Sequence, residues 1–159
     1  MPGFVVEGVA RDTDTALGKV ILNYLDDPKL RLKKGEDMTT RKKRVQLIVI
    51  HTTKGGIGTG QDPKIVKPGA GPNRDVEHRI ASLWATDGRN AGAHISIDPD
   101  GSVGCHCDLA LDVPYHCAGL NDKSVGIEIY QDLDGTLYEA ALKRCVEVVD
   151  WLTARFRIQ

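Results

Sequence analysis

The strongest pattern of apolar and polar positions lies near the end of the chain. Tyr138, Ala141, Leu142, Cys145, Val148, Val149, Leu152 and Phe156 recur at helical spacing. Glu139, Lys143, Arg144, Glu147 and Arg155 occupy the rest of the cylinder. This predicts an amphipathic helix lying on a core, with Cys145 as a core residue. Other segments read with period two. Residues 93–97 and 102–107 alternate on either side of Asp98-Pro99-Asp100-Gly101, which predicts a hairpin. Residues 124–130 predict a strand with Val125, Ile127 and Ile129 on one face and Gly126, Glu128 and Tyr130 on the other. Residues 45–50 are short, rich in β-branched side chains and almost continuously aliphatic, so they read as a central strand.

Two further helices are expected. Asp12-Thr13-Asp14-Thr15 offers N-caps to a helix bearing Ala16, Leu17, Val20, Ile21, Tyr24 and Leu25, ended by Asp27-Pro28. Val76, Ile80, Leu83 and Trp84 mark the other by their spacing. Between 52 and 73, six glycines and three prolines without periodicity predict a long loop. The sum is an α/β protein: a mixed central β-sheet flanked by helices. Residues 1–44 read as an N-terminal helical extension and basic linker, and residues 45–159 as the main domain.

Composition narrows the classes. With 41% hydrophobic and 27% charged residues and a formal net charge of −1, the chain has no bias towards nucleic acid or membrane lipid. Residues 31–44 hold seven basic residues against two acidic ones. The run lacks aromatic residues, so a solvated linker is favoured over a nucleic-acid patch. No apolar stretch approaches the roughly 20 residues that cross a bilayer. The N-terminus has neither the basic start nor the apolar block of a signal peptide, so secretion by the usual route is not expected. Reduced thiols are then the default for Cys105, Cys107, Cys117 and Cys145.

Two residues carry candidate chemistry. His51 stands where an aliphatic strand ends, and a strand end holds a side chain in a fixed direction, as a metal ligand or base requires. The alternative is a ring satisfied by nearby backbone. Glu128 interrupts an apolar strand, where a carboxylate is costly unless it is paired, used or turned to solvent. Cys105, His106 and Cys107 invite a metal reading, but their spacing is too close for the usual zinc ligand set.

In order and spacing these segments resemble the zinc-dependent N-acetylmuramoyl-L-alanine amidases of the type 2 family, which includes phage lysozyme-like amidases and peptidoglycan recognition proteins. Ile50-His51 matches the family's Val-Ile-His motif, and Ala93-His94 through Gly101 its Ala-His hairpin. His116-Cys117-Ala118-Gly119 matches its His-Ala-Gly turn with one inserted cysteine. Asn121 through Glu128 matches its Asn…Ser-Ile-Gly-Ile-Glu strand, with Val125 for isoleucine. The likeness spans roughly residues 45–156. It implies His51 as a Zn2+ ligand, Glu128 as the catalytic carboxylate, and His94, His116, Gly119 and Asn121 as substrate-cleft residues.

The resemblance also implies a substrate, peptidoglycan, cut at the amide between N-acetylmuramic acid and L-alanine. It further implies two more zinc ligands after the long helix, where this sequence stops. The expectation is a C-terminal part missing from the fold, with the other ligands beyond residue 159 in a remainder of the same protein. A natural variant without a full metal site is the alternative. Functionally, the choice lies between a phage-type cell-wall lysin and a non-catalytic peptidoglycan-binding module. The missing signal peptide suits a lysin acting on the wall after release, or a cytoplasmic recycling enzyme. Residues 1–44 offer a further possibility, a tether to a phage particle or partner.

Overall fold

Five strands form the sheet that positions the rest of the protein, and each is built from alternating or continuous aliphatic residues. In the computed structural model, which describes residues 3–11, 17, 21–33, 35, 37–53, 84, 91–131 and 135–159, the short strands β1 (Phe4–Val6) and β2 (Val9–Arg11) pair antiparallel. The main sheet contains β3 (Ile21–Asn23), β5 (Leu47–Thr52), β6 (Ile95–Ile97), β7 (Val103–Cys105) and β9 (Ser124–Ile129), in the order β3-β7-β6-β9-β5. Between these in sequence, β4 (Met38–Thr40) pairs antiparallel with β8 (Asp112–Pro114).

The sheet is mixed. β6 and β7 are the antiparallel hairpin expected from the sequence, whereas β5 and β6 both run parallel to β9. Gly101 turns the hairpin at φ +84°, a conformation that suits glycine, and its N–H donates to the Asp98 carbonyl at 2.9 Å. The Arg144 Nε donates to the Gly101 carbonyl at 3.0 Å, which ties this turn to the helix α1 (Glu139–Phe156).

Register gives the sheet two different faces. On one, the row Ile50–Ile127–Ile95–Cys105 runs across four strands. Here α1 packs Ala141, Cys145, Val148 and Leu152 into the core, as its periodicity predicts. On the other face the corresponding row is His51–Glu128–Ser96–Gly104. A polar row can be retained in a sheet because period-two alternation keeps it away from the aliphatic layer.

Two expectations change. β5 reads as central from its aliphatic run, but it stands at one end of the sheet among the described residues, with Leu47 and Ile50 exposed. Its composition suits parallel pairing, which the run signals equally well. The expected N-terminal helix does not extend over Ile21–Asn23, which form β3 and pair parallel with β7. Three residues of ladder on a buried face, with Ile21 2% exposed, outweigh a helical spacing. Residues 12–16 and 18–20 of that expectation, the 54–73 part of the loop and the second helix apart from Trp84 lie outside the described residues. All four cysteines are free thiols, Cys145 on the buried face of α1.

Phe4 joins the segment before Val45 to the same core. Its ring is fully buried and lies 4.7 Å from the Trp151 ring of α1. We expect Phe4→Ala to destabilise the fold by about 3–5 kcal/mol through lost burial and a residual cavity. Urea unfolding measures this. A loss under 1 kcal/mol would mean that β1 adds little to the core.

Candidate active site

The site is set by one line of the ladder. His51 and Glu128 are register partners in the parallel pair β5·β9, so both side chains rise from the same face one strand spacing apart, about 4.8 Å at the backbone. Both stand towards the C-terminal ends of their strands, and both are partly buried. Ser96, the next residue in the row, is fully buried and shares its hydroxyl with His106 Nε2 at 2.8 Å.

A second layer comes from the segment after β8. The His116 ring lies directly over Gly126, where an added Cβ would sit 2.6 Å from His116 Cγ. Glycine at this point of β9 is what admits the ring. His116 Nδ1 is 3.2 Å from His51 Nε2, and His116 Nε2 is 3.1 Å from Ser124 Oγ. The turn carrying His116 is held by Asn121, whose Oδ1 accepts from the N–H groups of His116 at 3.0 Å and Cys117 at 2.6 Å. Gly119 takes φ +81° at the exposed tip.

His94 lies deeper. It is fully buried, its ring 5.6 Å from that of His116. Its Nδ1 accepts from the Gly126 N–H at 3.0 Å, and its Nε2 lies 3.3 Å from the Asp112 carbonyl and 2.9 Å from Arg41 Nη2. Among the sequence-derived candidates, the structure thus brings His51, Glu128 and His116 together. It uses Asn121 and Gly119 to shape the turn, and sets His94 beneath them.

Arg41 and Ser124 escaped the sequence reading. Arg41 sits in the basic run, but its guanidinium turns inward and donates to the carbonyls of Asp122 at 3.0 Å and Ser124 at 2.8 Å. A run of like charges gives no sign of which member is buried. Lys43, its neighbour but one, instead forms an exposed pair with Asp122.

Electrostatics keep the imidazoles neutral. Burial pushes His116 down to about 4, helped by His51 and Arg41, and burial lowers His51 as well. Burial, then Arg41 and His116, drive His94 well below its ordinary value. A neutral His51 suits a metal ligand, which needs a free lone pair. Among the described residues, however, no group of three His, Cys, Asp or Glu side chains converges to hold a metal ion. Cys105, His106 and Cys107 do not do so. Cys105 belongs to the main core and Cys107 packs with Leu32 and Met38, while His106 has Leu30 and Ser96 against its two nitrogens.

These depressed values link stability to pH. The unfolded chain, with ordinary imidazoles near 6.5, binds protons that the folded chain refuses. Stability from this source is therefore whole above pH 6.5 and falls as pH drops towards about 4, where His116 itself titrates. We expect a loss of about 2 kcal/mol across that window from His116, after discounting for its partial exposure. Urea midpoints on either side of the window measure it, and an unchanged midpoint would mean that the rings titrate freely.

Comparison with known proteins gives the fold's relatives and the family. The sequence matches the family described as N-acetylmuramoyl-L-alanine amidase over residues 41–159. A search of curated proteins finds no match. Among solved structures, the chain is similar to the peptidoglycan recognition protein PGRP-Hd from Alvinella pompejana, with a TM-score of 0.65 and 13% identity over 87% of this chain and 81% of that one. A mutant endolysin from Bacillus subtilis gives 0.60 and 19%, over 87% and 78%. A mutant of Drosophila PGRP-LB in complex with tracheal cytotoxin gives 0.59 and 16%, over 87% and 77%. At these identities the structural likeness establishes the fold, a mixed sheet with a C-terminal helix. The match over residues 41–159 establishes more: the chain belongs to the type 2 N-acetylmuramoyl-L-alanine amidase family.

Proposed function

We propose that the protein is a peptidoglycan hydrolase, cutting the amide between N-acetylmuramic acid and L-alanine in the manner of a phage-type cell-wall lysin. The observation that carries this reading is the register pairing of His51 with Glu128 on one face of the sheet. His51 is proposed as one ligand of a zinc ion, with the other ligands outside the described residues. Zinc, when bound, brings the pKa of its water from ~16 towards ~7.

Glu128 takes the proton from the attacking water as general base and returns it to the leaving amine. Burial lowers its neighbour His51 from the ordinary imidazole value, which favours the uncharged ring beside it. The turn from His116 to Asn121, with Ala118 and Gly119 exposed, forms the rim that meets the muramoyl peptide. His94 acts on that rim through His116. Wall access follows release for a lysin, and a cytoplasmic recycling enzyme would use the same chemistry. No described helix is long and apolar enough to cross a membrane.

A second reading has a specific basis. Recognition proteins stand among the structural neighbours, and the described residues hold no three-ligand cluster. In that reading the domain binds peptidoglycan without cutting it. Zinc content of the purified protein, together with release of free stem peptide from cell walls, separates the two. We expect Glu128→Ala to lower hydrolysis by about 10²–10⁴-fold while zinc content is unchanged. Near-normal turnover by that variant would remove Glu128 from the mechanism.

A further inference from the structure

Ser124 opens β9 and is fully buried, and its hydroxyl has two neighbours. It donates to the Leu120 carbonyl at 2.8 Å. A carbonyl can only accept, so the single hydroxyl proton is committed there. The 3.1 Å contact between Ser124 Oγ and His116 Nε2 must then be donated by the ring. A neutral His116 has one N–H, now at Nε2, which leaves a lone pair on Nδ1. That Nδ1 faces His51 Nε2 at 3.2 Å, so His51 must supply the proton of this hydrogen bond. A neutral His51 ring with its one proton at Nε2 has a bare Nδ1, to which no described residue is bonded.

We infer that Ser124 is a positioning residue: acting through His116, it locks His51 as the Nε2–H tautomer and leaves Nδ1 as the open lone pair of the site. Without such an anchor, two hydrogen-bonded imidazoles have two arrangements, one with each ring as donor. The reverse arrangement puts the His116 proton on Nδ1 and leaves Nε2 and the Ser124 oxygen facing each other as acceptors. Forfeiting one partly buried hydrogen bond disfavours that arrangement by about fivefold to a hundredfold. Gly126 reinforces the choice by letting the His116 ring settle flat against the strand, within reach of both partners. Fixing the protonated nitrogen of a working histidine through a hydrogen bond at its other nitrogen is a general device. What the lone pair serves, a cation or a substrate proton, rests on the function proposed above. The tautomer itself does not.

Long-range proton–nitrogen correlation spectra of the metal-free full chain at neutral pH read the ring nitrogens directly. The expected result is a protonated Nε2 and a bare Nδ1 in both His51 and His116. A proton on His51 Nδ1 would overturn the inference. In Ser124→Ala, both rings are expected to split into two tautomers, with the minor form rising at least fivefold. Retention of the single tautomer in that variant would remove Ser124 from the arrangement. Ser124→Thr, which keeps the hydroxyl, is expected to hold the parental tautomers, and mixed rings there would count against the anchor. Should the alanine variant not fold, the parental and threonine spectra still decide. Zinc titration of the unaltered chain tests the hydrolase reading separately, because the ring protons are recorded with no metal present.

Discussion

The pairing of β5 with β9 is the constraint on which the rest depends. Parallel strands place register partners on the same side of the sheet. Six consecutive partners, from Leu47 with Ser124 to Thr52 with Ile129, therefore fix where His51 and Glu128 stand relative to each other. No loop geometry enters that relation. A proposed base and a proposed ligand held by backbone hydrogen bonds keep their spacing without needing any contact between the two side chains. The aliphatic row on the opposite face, packed under α1, supplies the burial that makes the ladder worth forming.

On that frame the polar face is assembled by removal as much as by addition. Gly126 withdraws a side chain so that His116 can lie on the strand, and Gly104 leaves room for Ser96 and His106 in the same way. Each buried polar atom then has to find a partner, which is why the site is bordered by Ser124, Asn121 and the Arg41 guanidinium. Arg41 has a further effect. Burial is the main force that lowers His94 and His116, and the fixed positive charge of Arg41 beside His94 and near His116 adds to it by disfavouring a second positive charge.

Much of this was legible in the residues, for reasons that differ by element. The hairpin, the β9 strand and α1 announce themselves because alternation and helical spacing report burial on one side. His51 and Glu128 stand out as polar interruptions of aliphatic strands. The N-terminal part misleads because Ile21 and its neighbours satisfy a helical spacing while a three-residue ladder with β7 decides the outcome. The edge placement of β5 is hidden because a continuous aliphatic run reports parallel pairing and double burial alike. Arg41 and Ser124 are invisible for other reasons: Arg41 matters through partners far along the chain, such as His94, and Ser124 through a turn that folds His116 and Leu120 back onto its hydroxyl, and neither arrangement has a periodic pattern.

The register of β5 carries a consequence for how this sequence can vary. Side chains alternate across the sheet, so the site obeys a parity rule. Adding one residue between Gln46 and Ile50 while the pairing stays in place would bring Ile50 into the slot beside Glu128 and turn the imidazole away. Two added residues would restore the facing side but slide it along the ladder. Drift in length is thus tolerable ahead of the strand and ruinous within it, so this short stretch is bound to a fixed count even where its individual aliphatic residues are interchangeable.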